Sequence, residues 1–138
     1  MTLRYVESSA LLSALLENDR SAIGALRAEG ERITSALTLA EASRGIVRAR
    51  VAQRLTARQE QAAIRGLQTF ERRCAIVAVT ETVLDRAGRP FPVEPIRTLD
   101  AIHLATAELL GEPPQLVTIV TRDARVRSNA QALGYRVA

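Results

Sequence analysis

The stretch RYVESSALLSALL, residues 4–16, joins two patterns. Arg4 to Val6 reads as the end of a short strand, and Ser8 to Leu16 reads as a helix. Between them stands Glu7, a charge where an apolar strand hands over to an apolar helix. Two accounts of Glu7 are open at this point: a capping or surface residue, or part of a site. The strand-to-helix step itself is the first unit of an alternating fold.

Working outward, strands are expected at about 3–6, 33–37, 75–79, 116–121 and 135–137. Helices are expected at roughly 8–17, 20–29, 39–52, 57–73, 81–88, 98–111 and 124–133. Ala22, Ile23 and Leu26 share one face of the second helix while Arg27 and Glu29 point away, and Leu99, Ile102, Ala105 and Leu109 form a stripe on the sixth. Thr56-x-x-Gln59 is a capping box, and Thr98 can cap the sixth helix. Gly30, Gly111 and Gly134 each follow an apolar run and mark stops. Pro90, Pro92 and Pro95 exclude a helix there and define an ordered loop that delivers the chain to Thr98. Strands alternating with helices predict an α/β fold, a parallel sheet of about five strands with helices on both faces. The length suits a single domain over residues 1–138.

Composition narrows the classes. Apolar residues make up 47% of the chain, which suits a globular core built from Leu, Ile, Val and Ala, since aromatics are only 3%. There is no bilayer-length apolar run and no charged-then-apolar leader, so a soluble, cytoplasmic protein is expected. Cys74 stands alone, which excludes an internal disulfide and a cysteine-based zinc finger; it is expected to be a small buried hydrophobe beside Ile76 and Val77. The net charge is +4, every one of the 19 cations is Arg, and Lys is absent. A basic excess suits a polyanion, though weakly at this size. Receiver domains and haloacid-dehalogenase-type phosphatases also gather acids at strand ends, but both depend on a Lys. No GxxxxGK[ST] loop or GxGxxG turn is present.

Ligands of such sheets bind beyond the carboxyl ends of the strands. Glu7 follows the first strand, Glu41 comes after the second, Asp123 follows the fourth, and Asp100 opens the sixth helix. Each also has a purely structural account. Glu41 completes a Thr38-x-x-Glu41 capping box, Asp100 favours a helix dipole, and Asp123 can be an N-cap. Glu7 has the weakest such account, at a corner inside an apolar segment. Crowded carboxylates raise one another's pKa and need a compensating cation, and Mg²⁺ or Mn²⁺ prefers oxygen ligands.

Four segments together resemble the PIN-domain ribonucleases of the VapC toxin type. They are Tyr5-Val6-Glu7-Ser8-Ser9-Ala10-Leu11, Thr34-Ser35-Ala36-Leu37-Thr38-Leu39-Ala40-Glu41, Leu99-Asp100-Ala101-Ile102-His103-Leu104-Ala105-Thr106-Ala107 and Val120-Thr121-Arg122-Asp123, with Ala130 and Leu133-Gly134 downstream. The resemblance spans nearly the whole chain. It implies a PIN-like three-layer sandwich and a divalent-metal-dependent endoribonuclease. It further implies a metal and catalytic site of Glu7, Glu41, Asp100 and Asp123, with Ser9 beside a ligating carboxylate or the substrate and His103 in a packing or supporting role. It also implies an antitoxin that blocks the site, and a homodimer. Short apolar helices such as Ala10 to Leu16 and residues 20–29 would suit the antitoxin groove, or belong to the core.

Arginines are placed to meet RNA phosphates. Arg122 and Arg125, with Arg127, flank Asp123 and form the better candidate clamp. Arg44, Arg48 and Arg50, with Arg54 and Arg58 beyond, follow Glu41 and otherwise form a solvated helix face. A competing account of Arg122 pairs it with Asp123 or Glu7 in place of a metal.

The resemblance departs at Glu7, where the family has Asp. A carboxylate displaced by about 1 Å can cost about 100-fold in rate. A second function therefore stands beside the nuclease: a PIN module that binds RNA or a protein partner with weakened or lost catalysis.

Overall fold

The computed structural model describes residues 2–138. The chain forms β1 (Leu3–Val6), α1 (Ser8–Leu16), α2 (Arg20–Arg27), β2 (Glu31–Ser35), α3 (Ala36–Val51), α4 (Ala57–Arg72), β3 (Ala75–Val77), α5 (Glu81–Ala87), α6 (Thr98–Glu108), β4 (Val117–Val120), α7 (Ala124–Ala132) and β5 (Arg136–Val137). The five strands form one parallel sheet in the order β3-β2-β1-β4-β5. Strand order therefore reverses beside β1, and the carboxyl ends of β1 and β4 open onto the switch point where such sheets bind ligands.

Alternation along β1 divides the core in two. Leu3 and Tyr5 pack with Ile119, Leu104, Ala105 and Val126 on the side of α5, α6 and α7. Val6 and Val120 pack with Leu11, Ile46 and Leu67 on the side of α1, α3 and α4. The result is the expected α/β sandwich of three layers. β4 is buried along its whole length, as a central parallel strand covered on both faces must be. On the second face α1 lies very close to α3 and α4. A Cβ built on Gly45 would stand 2.5 Å from a Leu12 methyl, and one on Gly66 would stand 2.6 Å from a Leu15 methyl.

Five local expectations change, the first being that Thr98 is the first residue of α6 rather than its cap, a position that Arg97 takes with no side-chain cap bond. β2 lies two residues earlier than expected because Leu3 pairs with Glu31, and Ser35, not a later residue, caps α3 by accepting from Leu37 N–H at 3.0 Å. Thr38 is thus inside the helix, hydrogen-bonded to Thr34 at 2.7 Å, and the Thr38–Glu41 capping box does not form. Cys74 is half-buried at the sheet edge, beside exposed Ala75 and Ile76, because β3 is a three-residue edge strand. Its thiol is pushed up to about 12 by burial and stays protonated and unreactive. In α6, Leu99 and Leu109 are exposed, while Asp100 to Ala107 are all buried. That helix packs against the sheet and both neighbouring helices, so burial runs around it rather than along a stripe.

Candidate active site

Each acid is delivered by its own element. Glu7 leaves β1 and caps α1; its backbone N–H still bonds Val120 in the sheet at 2.9 Å. The carboxylate is buried, at 3% exposure, and saturated with donors. Oε1 accepts from Thr121 Oγ1 at 2.7 Å and from Ser9 Oγ. Oε2 accepts from Ser8 Oγ at 2.9 Å and Ser9 N–H at 3.0 Å. Glu7 is therefore a helix cap that stands at the switch point. The methylene that distinguishes it from Asp is accommodated because these donors grip the longer side chain. Ser9 and Thr121 spend their hydroxyl protons on Glu7 and accept from the Arg122 and Asp123 N–H groups, at 2.8 Å and 3.0 Å. This ties the end of β4 to the end of β1.

Asp123 is the N-cap of α7, as its structural account requires. Its Oδ1 accepts from the Arg125 and Val126 N–H groups at 2.9 Å and 3.0 Å. Its other oxygen accepts from Arg97 Nη2 at 2.8 Å. Asp100, in the first turn of α6, is held by the same guanidinium, with Nε at 3.0 Å. Arg97 thus joins two of the four acids, and Glu7 adds to the field that raises its pKa after Asp100 and Asp123.

Glu41 is reached from the opposite side. Freed from capping, its Oε1 meets His103 Nε2 at 2.6 Å. Tyr5 Oη lies 2.8 Å from His103 Nδ1. Burial raises the Tyr5 pKa well above its ordinary value, so the phenol keeps its proton. The direction of both His103 hydrogen bonds follows the ring's tautomer. His103 links a buried strand residue to a candidate ligand.

The four acids therefore share one end of the sheet, but their side chains are drawn apart. The Ser8–Ser9–Thr121 hydroxyls take Glu7, His103 takes Glu41, and Arg97 takes Asp100 and Asp123. Among the described residues no three acidic, His or Cys side chains stand together closely enough to share an ion in this arrangement. The donor set still suits a hard cation, since the acids offer only oxygen. Asp100 supplies the clearest sign of fit. Its side chain is 7% exposed, yet Arg97, itself 63% exposed, is the only side chain bonded to its carboxylate among the described residues. A buried carboxylate requires a compensating cation, and here that cation is solvent-exposed.

The arginines differ from expectation. Arg122 turns away from the acids: Nη2 donates to Ser21 Oγ at 3.0 Å, and Nε lies 3.5 Å from Asp19, the cap of α2. The ion pair with Asp123 or Glu7 does not form, and the Arg122 guanidinium lies instead against the cap of α2. Arg127 donates to the Thr121 carbonyl at 3.3 Å. Arg125 contributes its backbone N–H to Asp123, and its side chain is exposed. Arg44, Arg48, Arg54 and Arg58 are exposed, while Arg50 pairs with Glu60 at 2.9 Å. Arg97, which joins two of the acids, is the residue the sequence reading missed. The available signal was a cation three residues before Asp100, at a helix start where the dipole disfavours it.

Toward the amino ends of the strands, away from the four acids, α1, α2 and α4 with Arg32 of β2 line a groove of about 590 Å³, floored by Leu15, Ile23, Leu26 and Phe70 and flanked by Arg27 and Arg73.

A family model described as PIN domain matches residues 4–131. The protein named ribonuclease VapC46 of Mycobacterium tuberculosis is 37% identical over 135 residues, covering 96% of this chain and 94% of that one. Ribonuclease VapC35 of the same species is 35% identical over 137 residues, covering 96% and 93%. Among solved structures, VapBC2 from Rickettsia felis, bound to a DNA fragment from its promoter, superposes with a TM-score of 0.67 at 14% identity, covering 99% of this chain and 97% of that one. Mycobacterium tuberculosis VapC20, titled a sarcin-ricin loop cleaving toxin, gives 0.64 at 15%, covering 96% and 95%. At such identities the structural likeness speaks for the fold.

Proposed function

The chain belongs to the PIN-domain family, in the branch of the VapC ribonucleases, and we propose that it is the endoribonuclease toxin of a toxin–antitoxin pair. It hydrolyses RNA phosphodiester bonds with Mg²⁺ or Mn²⁺ and is neutralised by a cognate antitoxin. The reading is supported by the positions of Glu7, Glu41, Asp100 and Asp123, which come from four elements to the carboxyl end of the sheet where strand order reverses, with their side chains on separate partners.

Asp100, Asp123, Glu7 and Glu41 would hold the ion. When bound, it supplies a Lewis acid that activates water for in-line attack and neutralises the departing 3′ oxygen. The chain's own residues do the rest. Ser9 and Thr121 fix the Glu7 carboxylate, and His103, backed by Tyr5, fixes Glu41. Exposed Arg125, with Arg44 and Arg48 running away from Glu41 along α3, meets backbone phosphates rather than bases. The new P–O bond forms to water, the P–O3′ bond breaks, and the downstream fragment keeps a 5′-phosphate. End-mapping of a digested RNA tests this: 5′-phosphate and 3′-hydroxyl ends support the reading, and a 2′,3′-cyclic phosphate contradicts it.

Phosphate binding divides the two arginines near Asp123. Arg125→Ala is expected to lower the slope of log affinity against log salt by about 0.7, the value for one lost contact to a single strand. Arg122→Ala should leave that slope unchanged, because its guanidinium is engaged on α2. Filter binding of RNA in EDTA across a salt series measures both.

The groove between α1, α2 and α4 is the proposed antitoxin seat, and its Arg27 and Arg73 favour an amphipathic helix with acidic flanks. Phe70→Glu, in that groove, should weaken antitoxin binding by about 2 kcal/mol, roughly thirtyfold. Its cleavage rate without antitoxin should stay at the parental value. A homodimer belongs to the same reading, with exposed Leu84, Val93 and Leu99 as apolar area for it. No helix among the described residues is long and apolar enough to cross a membrane, and a cytoplasmic site of action is part of the proposal.

A further inference from the structure

We propose that Arg97 is a displaceable counter-cation: its guanidinium holds Asp100 and Asp123 until a divalent ion binds them, and the released side chain then grips a phosphate of the RNA. The inference rests on the metal-dependent reading above.

Local helix physics gives no reason for an Arg at this position. Arg97 is the N-cap of α6, where Ser, Thr, Asp or Asn is preferred, and it makes no side-chain cap bond. A cation at a helix N-terminus also meets the positive end of the dipole. Among the described residues, its side-chain bonds go only to the two acids. Nε reaches Asp100 Oδ2 at 3.0 Å, and Nη2 is divided between Asp100 Oδ1 at 3.4 Å and Asp123 Oδ2 at 2.8 Å. Nη1 makes no hydrogen bond among the described residues. One cation thus serves two carboxylates, and one charge stays uncompensated.

The backbone beneath Arg97 is fixed. Glu94 accepts from the Phe91 and Ile96 N–H groups at 2.9 Å and 3.1 Å. Asn129 on α7 exchanges two 2.9 Å bonds with the backbone of Val93. Arg86 lies 3.8 Å over the Phe91 ring and pairs with Glu108 at 2.8 Å. The loop therefore presents Arg97 at one place, and its 63% exposed side chain can leave the two acids without unpacking the core. A divalent ion matches the charge of two carboxylates where the single guanidinium does not. A guanidinium freed there stands next to the metal site, with a planar fork suited to phosphate.

Calorimetric titration of Mn²⁺ into EDTA-stripped, re-dialysed parent, Arg97→Ala and Arg97→Lys proteins tests the first half. Arg97→Ala should bind Mn²⁺ about three- to tenfold more tightly, the range set by losing exposed ion pairs. Arg97→Lys should fall between, since a point charge replaces the fork. Equal or weaker binding by Arg97→Ala would mean that Arg97 preorganises the acids, and would overturn the counter-cation role alone. Absence of Mn²⁺ binding in all three proteins would overturn the metal reading with it. The second half is read from cleavage at saturating Mn²⁺: the KM for RNA should rise severalfold in Arg97→Ala. An unchanged KM would remove the phosphate grip. In metal-free protein Arg97→Ala should melt below the parent, because buried Asp100 loses its compensating cation, and saturating Mn²⁺ should narrow the gap.

Discussion

Asp100→Ala is expected to lower RNA cleavage by about 10³-fold, the scale for removing one group that stabilises transition-state charge. The fold should survive. Asp100 is buried at the start of α6, but its only side-chain partner among the described residues is the exposed Arg97. A first-turn acid is worth only about 0.3–1 kcal/mol to its helix, and removing a desolvated carboxylate offsets part of that. Circular dichroism and a thermal melt beside the cleavage assay check both halves. Lost folding, or cleavage within a few-fold of the parent, would contradict the role given to Asp100.

Glu7→Gln should behave differently, because Glu7 holds structure and site together. Its carboxylate takes four donors from Ser8, Ser9 and Thr121 while almost fully buried. An amide keeps one acceptor oxygen and turns a donor toward two of those groups. Leaving buried donors unpaired should cost about 1–3 kcal/mol of stability. Cleavage should fall about 100-fold through lost charge and displaced geometry. Glu7→Asp keeps the charge and both oxygens, so it should retain more stability and more activity than Glu7→Gln. If the Gln variant melts with the parent, the donor network described here is not what holds the corner of β1 and α1.

The contrast between these acids shows what was legible in the sequence. The alternating architecture and nearly every element could be read from periodicity and caps, because strands buried on both faces and helices with stop signals carry strong local patterns. Glu7, Asp100 and Asp123 could be placed at the sheet's end for the same reason. The start of α3 could not. Thr38-x-x-Glu41 and Ser35 are both sound local caps, and the choice was made by Thr34, which engages Thr38, and by the pairing of β2 with β1. With the cap moved to Ser35, Glu41 is freed to reach His103, sixty-two residues away. The arginines were hidden for a related reason. Arg122 adjoins Asp123 in sequence but faces Asp19 across the fold, whereas Arg97 reaches Asp123 from 26 residues away. Long, mobile cations choose partners by tertiary proximity, which chain order does not encode.

The most direct test of the account is the cleavage rate of purified, EDTA-stripped protein as free Mn²⁺ is returned, measured in parallel for Asp100→Ala. The account predicts no cleavage in EDTA, a saturable rise with Mn²⁺ in the parent, and no comparable rise in the variant. Cleavage that persists in EDTA, or that returns equally in Asp100→Ala, would contradict it.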